Sequence, residues 1–369
     1  MRPHPGVRFI ELLLNFRMDI HCVSIEVFMS PDTVILIDAY SQIFRSFYAI
    51  RHLSNSRGEP VNALLVFTRL LLGIERSYPG KRGAMLFDCG KVQHRIELLP
   101  EYKANRPPMP EELRAQIPFI REMASAFGWQ MHEVENYEAD DLIGVLALNL
   151  DGRVKIISSD KDLSQLVCDR ITMLSPANGN AGGFEERDAE FVKSKFGVEP
   201  ALIIDYLALL GDSSDNIDGV KGIGAKGAAQ LLNTYGASSN WIDAPETLDK
   251  KFASKLDGQC DILRRNIKLV SLRTELPENW SDTEALVVRR TPDWGRVAEL
   301  CRHYGLKSVL KDLPESAVAE EKAKAAPEPQ AGDEADLLSF MTSAPSVAET
   351  EKLPEQNANG GEVIQGELF

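Results

Sequence analysis

The sequence predicts an α/β fold: a mostly parallel central sheet flanked by helices, followed by a helical subdomain. Three observations carry this reading. Short apolar runs alternate with helical patterns along the first 200 residues. Three of those runs lead to an isolated acid: Val34–Ile37 to Asp38, Ala84–Phe87 to Asp88, and Val154–Ile157, through Ser158 and Ser159, to Asp160 with Asp162 close behind. A glycine-rich stretch beyond residue 210 then follows a helical run, Ala201–Leu210, rather than a strand. In a parallel sheet the carboxyl ends of the strands share one edge, where ligands bind.

Residues 1–30 are expected to be an extension outside the fold, with Met29 as a natural start before the first strand. Ala39–Ile50 is helical in pattern, with Phe44, Phe47 and Tyr48 on its core side and Arg45 among them. Arg45 is open to two readings, a snorkelling surface arginine or a phosphate contact. Ser54–Pro60 is a turn, and Val61–Arg76 an apolar core helix. Residues 89–127 form an insertion. In it Lys91, His94, Arg95, Lys103 and Arg106 surround Leu98-Leu99-Pro100-Glu101-Tyr102, and Pro107–Pro110 precedes a helical pattern from Glu111 to Phe127. Its composition fits either a mobile cover that grips a backbone phosphate or a solvated helical hairpin.

Trp129–Val134 reads as a strand. Tyr137-Glu138-Ala139-Asp140-Asp141 then opens a helix with three carboxylates, of which Glu138 and Asp141 share a face. Alone, such acids would cap the first turn and complement the helix dipole. Beside three strand-end acids they concentrate negative charge that needs a cation among it. Oxygen ligands with no matching Cys or His point to Mg²⁺ or Mn²⁺ rather than zinc. A helix to Val167 and a strand at Ile171–Leu174 finish the expected sheet, and Asn178–Gly183 reads as a flexible loop.

The second informative stretch is Gly219-Val220-Lys221-Gly222-Ile223-Gly224, with Lys226 behind it. Its glycines let the backbone turn tightly and approach a partner, and the next helix start exposes N–H groups to a phosphate. This is the signature of a helix-hairpin-helix, a sequence-independent binder of DNA backbone. Asp212 and Asp215, just before it, are either ordinary turn acids or reach back to the metals. Residues 241–312 read as further helices carrying several basic residues. From Glu315 the chain becomes acidic and aperiodic and reads as disordered. The expected division is 31–200 with the insertion at 89–127, 201–312, and a tail at 313–369.

Composition narrows the function classes. The 369 residues are 44% hydrophobic, enough for a sizeable core. The net charge is −14, but residues 315–369 alone hold twelve acids against three lysines. The nine site acids more than account for what remains, so the acidic balance does not exclude a nucleic-acid partner. Five scattered cysteines, none in a CxxC spacing, indicate neither a zinc site nor a disulfide scaffold and fit a reducing cytoplasm. No apolar run approaches the roughly 20 residues that span a membrane. Phe9–Phe16 comes nearest, and Glu11 interrupts it.

As a set, Ile37-Asp38, Phe87-Asp88, Tyr137–Asp141, Ser159-Asp160-Lys161-Asp162-Leu163, Gly211-Asp212-x-x-Asp215-Asn216 and Gly219–Gly224 resemble the 5′-nuclease (flap endonuclease) superfamily. The chain is most similar to its bacterial type, the 5′–3′ exonuclease domain of DNA polymerase I and free-standing relatives, over about Thr33–Trp280. The resemblance implies a PIN-like fold in which the insertion is a helical arch. It implies that Asp38, Asp88, Glu138 and Asp140 surround one metal, with Asp141 beside them. Asp160, Asp162 and Asp215, supported by Asp212, would hold a second. Lys103 and Arg106 would grip the phosphate during catalysis, and Tyr102 would stack on a base. Apart from the resemblance, Arg45 and Arg95 are expected as DNA contacts on their charge and place near the sheet edge that carries the acids. Gly222, Gly224 and Lys226 would hold duplex, with a K⁺ ion in the hairpin loop. Asp218 and Lys221 stand where many relatives have proline, and Gly227 where threonine or serine is usual, which bears on that K⁺ site.

The implied activity is two-metal hydrolysis of DNA at a 5′ end, flap, nick or single-strand/duplex junction, by a cytoplasmic monomer that binds no membrane. Gln365-x-x-Leu368-Phe369 resembles the peptide by which bacterial replication proteins dock on the sliding clamp. Two other readings compete. A structure-specific DNA-binding factor with weak or no catalysis is opposed by the complete acid set. A PIN-type ribonuclease is opposed by the hairpin.

Overall fold

The structure, a computed structural model, describes residues 33–80, 82–177 and 183–314. The N-terminal extension, most of the loop at 178–183 and the tail with its 365–369 peptide lie outside the described residues. In chain order the first part runs β1 (Val34–Asp38), α1 (Ala39–Ala49), α2 (Asn62–Ser77), β2 (Gly83–Leu86), α3 (Gln93–Leu98), a single turn at Glu111–Arg114, α4 (Ile117–Ala126), β3 (Gln130–His132), α5 (Ala139–Asn149), β4 (Val154–Ile157), β5 (Ile171–Pro176), β6 (Phe184–Arg187) and α6 (Ala189–Phe196). The sheet order is β3-β2-β1-β4-β5-β6, parallel throughout except that β5 and β6 are antiparallel. Chain order reverses between β1 and β4, so a crevice opens beyond their carboxyl ends.

β1 is buried on both faces. Its alternation divides the core: Val34 and Leu36 face the layer containing α5, whereas Ile35 and Ile37 face the layer of α1, α2 and α4. Helix α1 starts where β1 stops, because the Asp38 carboxylate accepts from Ser41 N at 3.2 Å and caps the turn. Its buried residues are Ala39, Gln42, Ile43 and Ser46; Phe44 and Phe47 are half-buried, and Tyr48 is exposed, contrary to the expected core face.

The rest runs α7 (Ile203–Leu210), the hairpin β7 (Gly211–Asp212) and β8 (Ile217–Asp218), α8 (Ala225–Tyr235), α9 (Lys250–Leu256), α10 (Cys260–Val270), a turn at Thr283–Leu286, α11 (Trp294–His303) and α12 (Lys307–Asp312). Helices α8 and α10 pack on α7, and Asn266 ties α10 to the hairpin by donating to Ala208 O and Asp218 O at 2.9 and 2.8 Å. The hairpin admits only glycine at its corner. Gly211 has φ +72, and a Cβ there would meet Gly219 N and Ile217 O at 2.3 Å.

Three features go beyond the sequence reading. Within the expected helical subdomain at 201–312, Asp293 N bonds Ala126 O at 2.8 Å, and α11 and α12 pack on α4 and α2 of the first layer. These amphipathic helices carry no signal of which core they join. In the insertion expected as an arch at 89–127, Leu113, Ile120, Met123 and Ala124 are fully buried in the core of the first layer. Finally, β6 was not expected, because Phe184-Glu185-Glu186-Arg187 is too polar to stand out as a strand.

Candidate metal centre

The carboxyl edge of the sheet gathers the acids. Asp38 ends β1; Asp88 follows β2 and accepts from Ala139 N, at the first turn of α5, at 2.9 Å. Ser158, after β4, donates to Asp38 Oδ2 at 2.8 Å and accepts from Asp160 N at 3.0 Å, fixing these two acids about one hydroxyl. Asp160 in turn accepts from Asp162 N at 2.9 Å. Glu138 and Asp140 stand at the start of α5. The hairpin brings Asp212 and Asp215 to the same place. Oxygens of Asp162, Asp212 and Asp215 all lie within 4.8 Å of one another.

Carboxylates crowded together and partly withdrawn from water resist ionisation. Burial, then Asp88 and Asp160, push the Asp38 carboxyl up from 3.8 to about 7. Burial first, then neighbouring acids, raises Asp140 and Asp162 well above the usual range. Asp88 and Asp160 reach solvent at the rim, and partial desolvation raises both.

The chain answers with its own cations. Lys103 Nζ lies 2.7 Å from Glu138 Oε1 and 3.9 Å from Asp215. Arg106 bonds Asp215 at 2.5 Å, and Lys161 bonds Asp212 at 2.7 Å. Burial opposes the charge of Glu138, but Lys103 and Arg95 outweigh it and hold this carboxyl below its ordinary value. The segment carrying Lys103 is latched to the hairpin: Lys103 N donates to Asp215 O at 3.0 Å, Asn105 to Ser213 O at 2.7 Å, and Asn216 to Glu101 O at 2.9 Å. Lys103 and Asn216, on either side of this seam, both have positive φ, an uncommon conformation outside glycine.

Three expected site residues are engaged by partners within the chain. Asp141 is fully buried with both oxygens engaged: Oδ1 accepts from Arg95 at 2.8 Å and from Arg273 N at 2.9 Å, and Oδ2 from Arg95 at 2.9 Å and from Glu138 N at 3.2 Å. These contacts tie the start of α5 to Arg95 and Arg273. Arg95, expected to touch DNA, is 1% exposed and also bonds Glu138 at 2.7 Å and Leu269 O at 3.2 Å. Tyr102, expected to stack on a base, is half-buried against the core. Its hydroxyl lies 3.1 Å from Glu138 and 3.2 Å from Asp215.

Arg45 is half-buried and held by Ser175, Pro176 O and Ser159 at 3.0, 2.7 and 3.3 Å, which excludes a snorkelling side chain. At the hairpin, Val220 and Ile223 are buried anchors, whereas Gly222, Gly224 and Lys226 are exposed. α8 begins after Gly224 with no side-chain cap. Sequence reasoning left Lys161 without a role; its place between two site acids was the available signal.

The donor set fits hard divalent cations. It is all oxygen, it runs from buried (Asp38, Glu138, Asp215) to solvent-facing (Asp88, Asp160), and its charge is only partly met by Lys103, Arg106 and Lys161.

Comparison with known proteins bears on the family and the fold. Residues 33–197 match the model of the 5′–3′ exonuclease N-terminal resolvase-like domain, and residues 198–293 that of its C-terminal SAM fold. The chain is 36% identical to a 5′–3′ exonuclease of Aquifex aeolicus over 286 residues, 76% of this chain and 95% of that one. It is 41% identical to DNA polymerase I of Pseudomonas aeruginosa over 225 residues, 60% of this chain but only 24% of the polymerase. Among solved structures, the T5 5′-exonuclease with bound divalent zinc ions aligns with TM-score 0.53 and 25% identity, covering 77% of this chain and 99% of that one. A bacteriophage T5 flap endonuclease in complex with DNA and metal ions has the same fold, with TM-score 0.52 and 23% identity over 78% of this chain and 99% of that one.

Proposed function

This chain belongs to the 5′–3′ exonuclease family, and from that membership we propose that it hydrolyses DNA phosphodiester bonds at a 5′ end or 5′-flap junction, leaving a 5′-phosphate. One observation carries the reading: carboxylates from β1, β2, β4, α5 and the β7–β8 hairpin converge at the switch point of the sheet, faced by Lys103 and Arg106.

In this account Asp38, Asp88, Glu138 and Asp140 hold one divalent ion, and Asp160, Asp162, Asp212 and Asp215 hold the other. The hard oxygen set favours Mg²⁺, with Mn²⁺ as a substitute. Bound there, two such ions would lower the pKa of the attacking water and steady the leaving 3′ oxygen. Lys103 and Arg106 take the non-bridging phosphoryl oxygens, where charge builds in the transition state. Arg45 holds a neighbouring phosphate. Gly222, Gly224 and Lys226, at the uncapped start of α8, hold the duplex backbone without reading its sequence. Nicked and single-strand/duplex junctions are the substrates this pairing of strand edge and hairpin serves.

The hairpin's cation is a further part of the proposal. Lys255 Nζ donates to Gly222 O at 2.6 Å, so any K⁺ at this loop competes with an ammonium from the chain itself. We further propose that the protein acts as a cytoplasmic monomer in replication or repair, and that Gln365–Phe369 docks on the sliding clamp. No helix among the described residues is long and apolar enough to cross a membrane. The expected unit boundaries stand as proposals at 31–200 and from 201, with α11 and α12 assigned to the first unit.

The test is cleavage of labelled 5′-flap DNA beside matched single-stranded DNA and RNA, with Mg²⁺ and with EDTA. Metal-dependent incision near the flap junction supports the proposal. Junction binding without incision in either Mg²⁺ or Mn²⁺ would favour a DNA-binding factor instead.

A further inference from the structure

Beside the acid cluster lies a pocket of opposite character. Arg45 from α1, Arg187 from β6 and Lys195 from α6 converge on a cavity of about 460 Å³, with Ser159 and Ser175 in its wall. Ser159 is the neighbour in sequence of Asp160, so the pocket opens next to the carboxylates. Each serine Oγ accepts from Arg45, at 3.3 and 3.0 Å, and so keeps its own proton to donate.

Two of the three cations have no carboxylate partner: among the described residues neither Arg45 nor Lys195 has one within 4.0 Å. Glu185 also lines the cavity and pairs with Arg187 at 3.7 Å, from a largely exposed position. The Arg187 Nε is buried with no hydrogen-bond partner among the described residues. Burial and the Arg187 charge hold the Arg45 guanidinium below its ordinary value. Burial, then Arg187 and Lys161, do the same to Lys195, with Glu185 opposing. Such a pocket is stabilised by an anion that accepts from guanidinium and hydroxyl donors together, which is the chemistry of a phosphate.

We propose that Arg187 and Lys195 complete, with Arg45, Ser159 and Ser175, a second phosphate-binding pocket that holds the DNA strand one position away from the bond being cut. The proposal rests on the nuclease reading for its choice of DNA. A strand crossing the acid edge carries phosphates on both sides of the cut. The occupant is either a backbone phosphodiester or a terminal 5′-phosphate.

The test measures binding of fluorescent flap DNA, with a 5′-phosphate and with a 5′-hydroxyl, in an Asp140→Asn background with Mg²⁺. Arg187→Gln with Lys195→Gln should weaken binding about tenfold, and the plot of log affinity against log salt should flatten by about 0.9, one phosphate contact. Arg187→Lys should restore much of the affinity, and Lys307→Gln, on the remote α12, should change neither quantity. Loss with both DNAs identifies a backbone phosphate; loss with the 5′-phosphorylated DNA alone identifies the terminal one. Unchanged affinity and slope with both DNAs, or a loss that Lys307→Gln reproduces, overturns the pocket. Cleavage by the unsubstituted protein, run in parallel, reads the nuclease assignment separately: binding that responds to the pocket without any cleavage keeps the pocket and fails the assignment.

Discussion

Lys103 holds Glu138: its ammonium lies 2.7 Å from the carboxylate, reaching back across the sheet edge from a residue with φ 54. The same ammonium is 3.9 Å from Asp215. One side chain thus bridges the two groups of acids assigned to different metals. Burial opposes the charge of Lys103, but Glu138 and Asp215 outweigh it and raise its pKa. An internal cation standing among metal ligands competes with the metal and must change partners when a phosphate arrives.

Lys103→Ala should therefore separate two effects. The metal-free protein should melt at a lower temperature, because Glu138 loses a close partner. The rise in melting temperature on adding Mg²⁺ should be larger than for the unsubstituted chain, because the competitor is gone. Cleavage should still fall about 100-fold, as a donor to the phosphoryl oxygens is lost. Thermal melts with and without Mg²⁺, beside single-turnover kinetics, check all three. A smaller Mg²⁺ response would refute the competition.

The buried Arg95–Asp141 pair predicts a stability effect without a change in metal number. Arg95→Met leaves Asp141 and Glu138 without their guanidinium and should destabilise folding by about 3–5 kcal/mol. Asp141→Asn should also destabilise, while calorimetry still counts the same number of ions. Loss of one ion with folding stability intact would restore Asp141 as a ligand.

Asp162 predicts the opposite sign. Its carboxyl is pushed well up, first by burial and then by Asp160. Asp162→Asn should raise the stability of the metal-free protein and weaken metal binding. Urea unfolding in EDTA that shows a loss of stability would contradict this.

The pH dependence follows from Asp38. Its carboxyl shifts from 3.8 to about 7 on folding, through burial and then Asp88 and Asp160. Between these values the folded state binds more protons than the unfolded state, so stability declines as pH rises. Asp88, Asp140, Asp160 and Asp162 shift the same way, whereas Glu138 and Asp212 shift down. In EDTA the melting temperature should fall from about pH 4 to pH 7. With saturating Mg²⁺ the fall should shrink or reverse, since binding displaces those protons. Parallel slopes in EDTA and Mg²⁺ would count against a metal at Asp38.

Much of the site was legible in the sequence because strand-end acids are marked by local pattern. Asp38, Asp88 and Asp160 each follow an apolar run, and Asp212 and Asp215 precede a glycine motif. What distinguishes Asp140 from Asp141 is not local: Asp141 turns to Arg95 and to Arg273 N, 46 and 132 residues away in sequence. Arg95 was read as a DNA contact for the same reason, since a charge in a basic segment carries no mark of burial. The fold was legible where periodicity was strong, as in β1, α2 and α5. It was not legible at β6, an edge strand of polar residues, or in α11 and α12, whose apolar faces suit either core.

The most direct measurement compares the unsubstituted chain with Asp140→Asn on one labelled 5′-flap DNA, reading binding and cleavage together in Mg²⁺. The account predicts that the variant binds the flap within a few-fold of the unsubstituted chain while cleavage drops at least about 1,000-fold, as loss of a metal-holding carboxylate requires. Cleavage by Asp140→Asn at the unsubstituted rate, with binding intact, would contradict the assignment of this carboxylate edge as the catalytic metal centre.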